Sequence, residues 1–210
     1  SRLLLSGRDI ARLEKVAASC RARGARVEIR VLDVGDAAGM RDWIAQADSA
    51  GRLDLVIANA GISSGSGGRG ESAAQARRIF DINLGGLLNT VLPALELMRA
   101  RPATGKPRGQ IALMSSVASF RGFAGAPAYC GSKAAARVWG EGLRALHAAE
   151  GIEINVICPG FVRSRMTAVN RRPFPFLMDP ERAAQIIRAG LSAKRGRITL
   201  VRCERPVHGG

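Results

Sequence analysis

Aromatic residues are scarce in this chain: one Tyr, two Trp and six Phe make up only 4% of 210 residues. Proteins that bind single-stranded nucleic acid use rings as stacking platforms, so that class lacks its main tool here. Cysteine is thin as well. Cys20, Cys130, Cys158 and Cys203 are scattered and form no C-x-x-C pair. That argues against a zinc site or a disulfide framework, and for reduced thiols in a cytoplasmic protein. No run of about 18 apolar residues occurs, so no membrane span is expected. The apolar part of the N-terminus, Leu3-Leu4-Leu5, is too short for a signal peptide. Acids are outnumbered, 17 Asp and Glu against 32 Lys and Arg, for a formal net charge of +15. A basic surface can serve nucleic acid, an anionic membrane or phosphorylated ligands. The excess is nearly all Arg, spread along the chain without a block of five or six. It reads as diffuse composition, with no nucleic-acid and no membrane partner, while an anionic cofactor needs only a few of these arginines.

What is present describes a globular fold. Hydrophobic residues make up 47% and charged ones 23%, and the length fits one domain with a substantial core. Leu3–Leu5 reads as a buried strand leading through Ser6-Gly7-Arg8 to a helix capped by Asp9 that stops near Gly24. Strands are expected over 26–32, 53–58, 110–114, 152–158 and near 198–201. Helices are expected from Asp36 to about Ala50, from about Glu71 to Arg99, from about Pro127 to Ala149, and after Asp179-Pro180. Strand and helix alternate, and the strands are continuous apolar runs. That pattern marks α/β architecture: a doubly wound parallel sheet, Rossmann-like, in three α/β/α layers. Ligands of such sheets bind at the strand carboxyl ends. Asp33, Asn59, Ser116 and Pro159-Gly160 all fall there.

The segment Ser115 to Lys133 carries the chemistry. Tyr129 and Lys133 stand four residues apart in a helical stretch, on one face and about a turn from each other. Tyr129 is the chain's only tyrosine, and Lys133 is one of four lysines (15, 106, 133 and 194). A phenol of pKa about 10 is a poor base at neutral pH, and a neighbouring ammonium favours the phenolate. The spacing therefore predicts a Tyr129 made more acidic by Lys133. Ser116, at the end of a strand, can offer its hydroxyl to the same carbonyl oxygen. A Tyr on a helix face is also a common packing residue, so the rest of the chain has to support the reading.

Ser116, Tyr129 and Lys133 at this spacing resemble the short-chain dehydrogenase/reductase family. Further matches run along nearly the whole chain. Asp33-Val34 is similar to the family pair that contacts the adenine ring. Asn59-Ala60-Gly61 resembles its Asn-Ala-Gly element beside the adenosine ribose. Asn83, within Asp81-Ile-Asn-Leu-Gly85, matches the Asn that holds a water in the proton relay. Pro159-Gly160, with Val162 and Ser164, resembles the segment that holds the nicotinamide carboxamide, where the family more often has Thr at the Ser164 position. The resemblance implies reversible hydride transfer between NADP(H) and a ketone or secondary alcohol. Tyr129 would move the proton, Ser116 would position the oxygen, and Lys133 would hold the ribose and tune Tyr129.

Gly7 stands where NAD-preferring members carry an acid, and Arg8 follows it. An Arg can bind a 2′-phosphate bidentately, so NADP(H) is preferred and NAD(H) is possible; Arg8 as an exposed helix-start residue is the alternative. Gly65-Ser-Gly67-Gly-Arg-Gly70 matches G-x-G-x-x-G literally, but helix follows it where the fingerprint wants a strand ending in an acid. It reads as a loop beside the site. The resemblance also implies a first strand and a Thr-Gly-x-x-x-Gly-x-Gly turn ahead of Leu3, lying between strands 3–5 and 53–58. They are absent from the 210 residues, so the chain reads as an N-terminally incomplete single domain. The tail after Val201 reads as weakly structured. Ser119, Phe120, Phe123 and the segment 161–178 are candidates for a substrate wall. Phe174, Phe176, Leu177 and Met178 form either an apolar lid or a packed surface helix, with Arg163, Arg165, Arg171 and Arg172 nearby. Helices 71–99 and 127–149 resemble those that pair between subunits, which implies a homodimer or homotetramer. Two other classes stay open: a catalytically silent nucleotide-binding protein of this fold, and a basic nucleic-acid binder.

Overall fold

In a computed structural model, the structure describes residues 1–63, 70–168 and 176–200. The Gly65–Gly70 motif (except Gly70), Arg171, Arg172, Phe174 and the tail after Leu200 lie outside the described residues. In chain order come β1 (Arg2–Gly7), α1 (Ile10–Arg21), β2 (Arg26–Val31), α2 (Ala37–Ser49), β3 (Leu55–Ala58) and α3 (Ala73–Phe80). A π-helical turn (Asp81–Gly85) joins α3 to α4 (Gly86–Ala100). Then follow β4 (Gly109–Met114), a short 3₁₀ turn (Val117–Ser119), α5 (Pro127–His147), β5 (Ile152–Pro159), α6 (Arg165–Ala168), α7 (Pro180–Ser192) and β6 (Arg197–Leu200).

The helix starts follow from local chemistry. Asp9 and Asp36 each accept a bond from the backbone three residues on. Ser72 and Gln75 form a reciprocal capping box. Asp179 differs from this pattern: it makes no cap bond, and its carboxylate pairs instead with Arg163 at 3.1 Å. The expected helix over 71–99 is interrupted by the π turn at 81–85. One extra residue per turn there aims Asn83 inward, where it is fully buried.

All strands pair in parallel, as expected of an α/β fold, but they form two sheets instead of one. β1 pairs with β2, from Arg2↔Arg26 to Gly7↔Val31. A separate four-stranded sheet runs in the order β3-β4-β5-β6. Among the described residues nothing pairs with the second edge of β1 or the outer edge of β3. Leu55 and Ile57 on β3 are consequently 39% and 44% exposed. The break falls between strands 3–5 and 53–58, where the family resemblance places a further strand.

The four-stranded sheet is covered on both faces. Ile111 and Leu113 of β4 and Ile152 and Ile154 of β5 pack with Ala136 and Leu143 of α5 and with Leu87, Val91, Ala94 and Leu95 of α4. Alternate residues, Ala112 and Ile157, face Ala183 and Leu191 of α7, the period of two that a pleated strand requires. On that face Gln110 donates to Asn155 at 2.8 Å, and Asn155 donates to the Arg195 carbonyl at 2.7 Å, so this buried polar pair is satisfied. The two sheets are linked through α2: its Met40 and Ile44 enter the same core as α4.

Candidate active site

The strand ladder delivers Ser115 and Ser116 to the carboxyl end of β4. The Ser115 N–H extends the sheet by donating to Ile157 O at 2.8 Å, and its hydroxyl donates to Lys133 O on α5 at 2.7 Å. Ser116 points the other way. Its hydroxyl accepts from the Ala118 N–H at 3.2 Å, reaches Pro159 O at 3.4 Å, and favours the ionised form of the Tyr129 phenol. The three residues singled out in the sequence therefore meet across β4, β5 and α5. Lys133 is buried, its ammonium 5.9 Å from the centre of the Tyr129 ring and donating to Met114 O at 2.8 Å.

The electrostatics overturn one expectation. The Tyr129 phenol is pushed above its ordinary 10, because burial disfavours the phenolate more than the Ser116 hydroxyl favours it. The Lys133 ammonium, 5.9 Å from the ring centre, does not outweigh that burial. The ammonium itself yields to burial, its pKa lowered from 10.5 to about 8. Tyr129 is therefore a protonated phenol at neutral pH, suited to donating a proton.

Asn83 and Gly61 join this group. The Asn83 amide accepts from the Ile62 N–H at 2.7 Å and donates to Ile62 O and to the Ser132 hydroxyl, both at 3.0 Å. It braces the segment after β3 against α5. A Cβ on Gly61 would sit 3.2 Å from the Lys133 ammonium and 3.4 Å from Asn83 Oδ1, so glycine leaves the ammonium room. Pro159 and Gly160 lie on the other flank. A Cβ on Gly160 would stand 2.8 Å from Leu200 O, a backbone atom that cannot yield. Val162 bridges to Met178. Ser164 is exposed and bonds with Thr167, its N–H donating to Thr167 Oγ1 at 2.9 Å.

The remaining candidates lie at a more open end. Gly7 closes β1. Arg8 and Asp33 are half exposed and pair at 3.6 Å, and Asp33 also holds the Gly35 N–H at 2.9 Å. Val34 packs on Gly86, and its carbonyl accepts from Asn89. Asn59 and Ala60 are exposed at the end of β3.

Two wall candidates have neighbours of their own. Ser119 is buried, with its hydroxyl against the Cys158 thiol. The half-exposed Phe120 ring has the guanidiniums of Arg137 and Arg197 at 4.7 and 5.4 Å from its centre. The sequence reading missed Ser115, Ser132 and Glu71. The Glu71 carboxylate accepts from the Ala128 and Tyr129 N–H groups, a contact across 57 positions that no local pattern signals.

A parallel α/β fold with Ser, Tyr and Lys gathered at the strand carboxyl ends defines a class of nucleotide-dependent oxidoreductases. Comparison with known proteins bears this out. A family model described as short chain dehydrogenase matches residues 1–173. An uncharacterized oxidoreductase of Myxococcus xanthus is 36% identical over 90% of this chain and 74% of its own length. A second, from Mycobacterium tuberculosis, is 36% identical over 79% of this chain, which spans only 65% of that protein. Among solved structures, a short-chain dehydrogenase from Sphingobium yanoikuyae in complex with NADPH superposes with a TM-score of 0.80. It is 21% identical, with 99% of this chain and 79% of that one covered. The chain belongs to the short-chain dehydrogenase family of oxidoreductases.

The residues fit both ends of the family's dinucleotide. Lys133 has three N–H donors and, among the described residues, one acceptor, Met114 O. That leaves a buried ammonium able to bind ribose hydroxyls beside Gly61. At the other end, the half-exposed Arg8 guanidinium suits a phosphate.

Proposed function

We propose that this chain is a carbonyl reductase that interconverts a ketone and a secondary alcohol with NADP(H). The convergence of the buried Ser116 and Lys133 on the Tyr129 phenol, with the Lys133 ammonium 5.9 Å from its ring, carries the reading. A bound dihydronicotinamide supplies the hydride to the carbonyl carbon. Ser116 donates a hydrogen bond to the carbonyl oxygen and fixes its place. Tyr129, kept protonated by burial, gives its proton to that oxygen as the C–O bond becomes an alcohol. Lys133, lowered to about 8, then returns a proton to Tyr129 and draws its own from solvent.

Arg8 supports NADP(H) over NAD(H), with NAD(H) still able to bind. Exposed apolar side chains in the region after β5, including Met166, Phe176 and Leu177, favour an apolar ketone. A homodimer or homotetramer belongs to the same proposal, since Leu92 on α4 and Val138 and Leu146 on α5 are exposed; a monomer in sedimentation at micromolar concentration contradicts that part.

The test is NADPH oxidation over a panel of aliphatic and aromatic ketones. Tyr129→Phe should lower turnover by roughly 100-fold or more, and turnover at the wild-type rate contradicts the assignment. In the same assay Arg8→Leu should weaken NADPH about tenfold, the equivalent of ~1.4 kcal/mol, and leave NADH nearly unchanged.

A further inference from the structure

The helix that carries Tyr129 cannot cap itself. Its N-cap residue, Ala126, has no side-chain acceptor, and Pro127 in the first position has no N–H. The first free donors are the backbone N–H groups of Ala128 and of Tyr129 itself. Both end on one carboxylate: Glu71 accepts from Ala128 N at 2.5 Å through Oε2 and from Tyr129 N at 3.2 Å through Oε1.

Glu71 is itself held on both sides. Gly70 before it adopts φ +83° beside the Ala124 carbonyl. Ser72 after it caps α3, accepting from the Gln75 N–H at 3.2 Å while its own N–H donates to Gln75 Oε1 at 2.8 Å. Adjacent residues thus cap two different helices. Farther along, the Phe80 ring of α3 lies against Gly131 of α5, 3.3 Å from where a Cβ would stand. The start of α5 is therefore held by Glu71 and by α3, the helix that follows it.

We propose that Glu71 is a positioning residue for catalysis: by holding the backbone of Tyr129 it sets the phenol against Ser116 and Lys133. This rests on the reductase reading, but the cap can be measured without it. A carboxylate at a helix N-terminus is favourable both as an acceptor and as a charge. Removing it frees the first turn of α5, and displacement there moves the phenol away from the Ser116 hydroxyl. Catalysis is steep in such displacements.

The experiment compares Glu71→Ala, Glu71→Gln and Ser72→Ala in the full chain, by amide hydrogen exchange and by ketone reduction with NADPH. Glu71→Ala should speed exchange at Ala128 and Tyr129 by roughly fivefold or more. It should lower kcat about tenfold or more and leave the KM for NADPH within about twofold. Glu71→Gln keeps one acceptor oxygen and should recover most of kcat. Ser72→Ala removes the neighbouring cap, weakening α3, and should leave kcat within about twofold of wild type. Unchanged exchange at Ala128 and Tyr129 in Glu71→Ala overturns the proposal. So does an equal kcat loss in Glu71→Ala and Ser72→Ala, which would make Glu71 a structural cap like any other. If the wild-type protein reduces no ketone, the reductase reading fails by itself, and exchange still decides whether Glu71 holds the helix.

Discussion

At the carboxyl ends of β4 and β5 the polar groups are buried, while at those of β1 and β2 they stand in water. Ser116, Lys133 and Asn83 are each less than a tenth exposed, whereas the Arg8 and Asp33 side chains are 54% and 44% exposed. The contrast begins in the sheets below. β4 and β5 are covered by α4 and α5 on one face and α7 on the other, and Ile111, Leu113, Ile154 and Ile157 are wholly buried. In the β1–β2 pair no residue is fully buried. Low dielectric shifts pKa values, and among the described residues the four-stranded half provides it. The two-stranded half presents exposed charge instead, in the Arg8–Asp33 pair.

The largest effect expected from this contrast is on stability. Ile154→Ala in β5 should destabilise by about 3 kcal/mol, because it opens a cavity in a close-packed core. Leu4→Ala in β1, at a half-buried position, should cost about 1 kcal/mol. Chemical denaturation of both variants reads the difference, and equal losses would dissolve the distinction between the halves.

An effect of at most similar size concerns Lys133. Its pKa of about 8 in the folded chain, against 10.5 unfolded, means that burying the ammonium opposes folding. The penalty is present in full below about pH 8, where both states carry the charge. It is relieved as pH rises from about 8 to 10.5, where the folded Lys133 is neutral and the unfolded one still binds a proton. Lys133→Met should therefore stabilise the protein at pH 7 by up to roughly 3 kcal/mol, even as it impairs turnover. That gain should shrink across the window between the two pKa values. A variant less stable than wild type at pH 7 would mean that the Met114 hydrogen bond outweighs desolvation.

Much of this was legible in the sequence. Alternation of apolar runs with helical periods gave the parallel α/β fold, and the Asp9, Asp36 and Pro127 signals placed helix starts within a residue or two. The meeting of Ser116, Tyr129 and Lys133 could be read because strand ends and a helical spacing of four are local facts. Three things were not readable. The π turn at 81–85 depends on Asn83 bonding to Ile62, 21 positions away. The cap on α5 comes from Glu71, remote in the chain. The shift of Tyr129 failed because spacing reports which charge is near and says nothing of how deeply both groups are buried, and desolvation is the larger influence here. The approach of Arg137 and Arg197, from α5 and β6, to the half-exposed Phe120 ring is another contact that no local pattern signals.

Tyr129 is the only tyrosine in the chain, so the near-ultraviolet absorbance of tyrosinate reports this one phenol without interference from another. Titrated in the cofactor-free wild-type protein, it should ionise above pH 10, because burial disfavours the phenolate. A midpoint near neutrality would contradict that, and would restore Lys133 as the group that makes Tyr129 acidic.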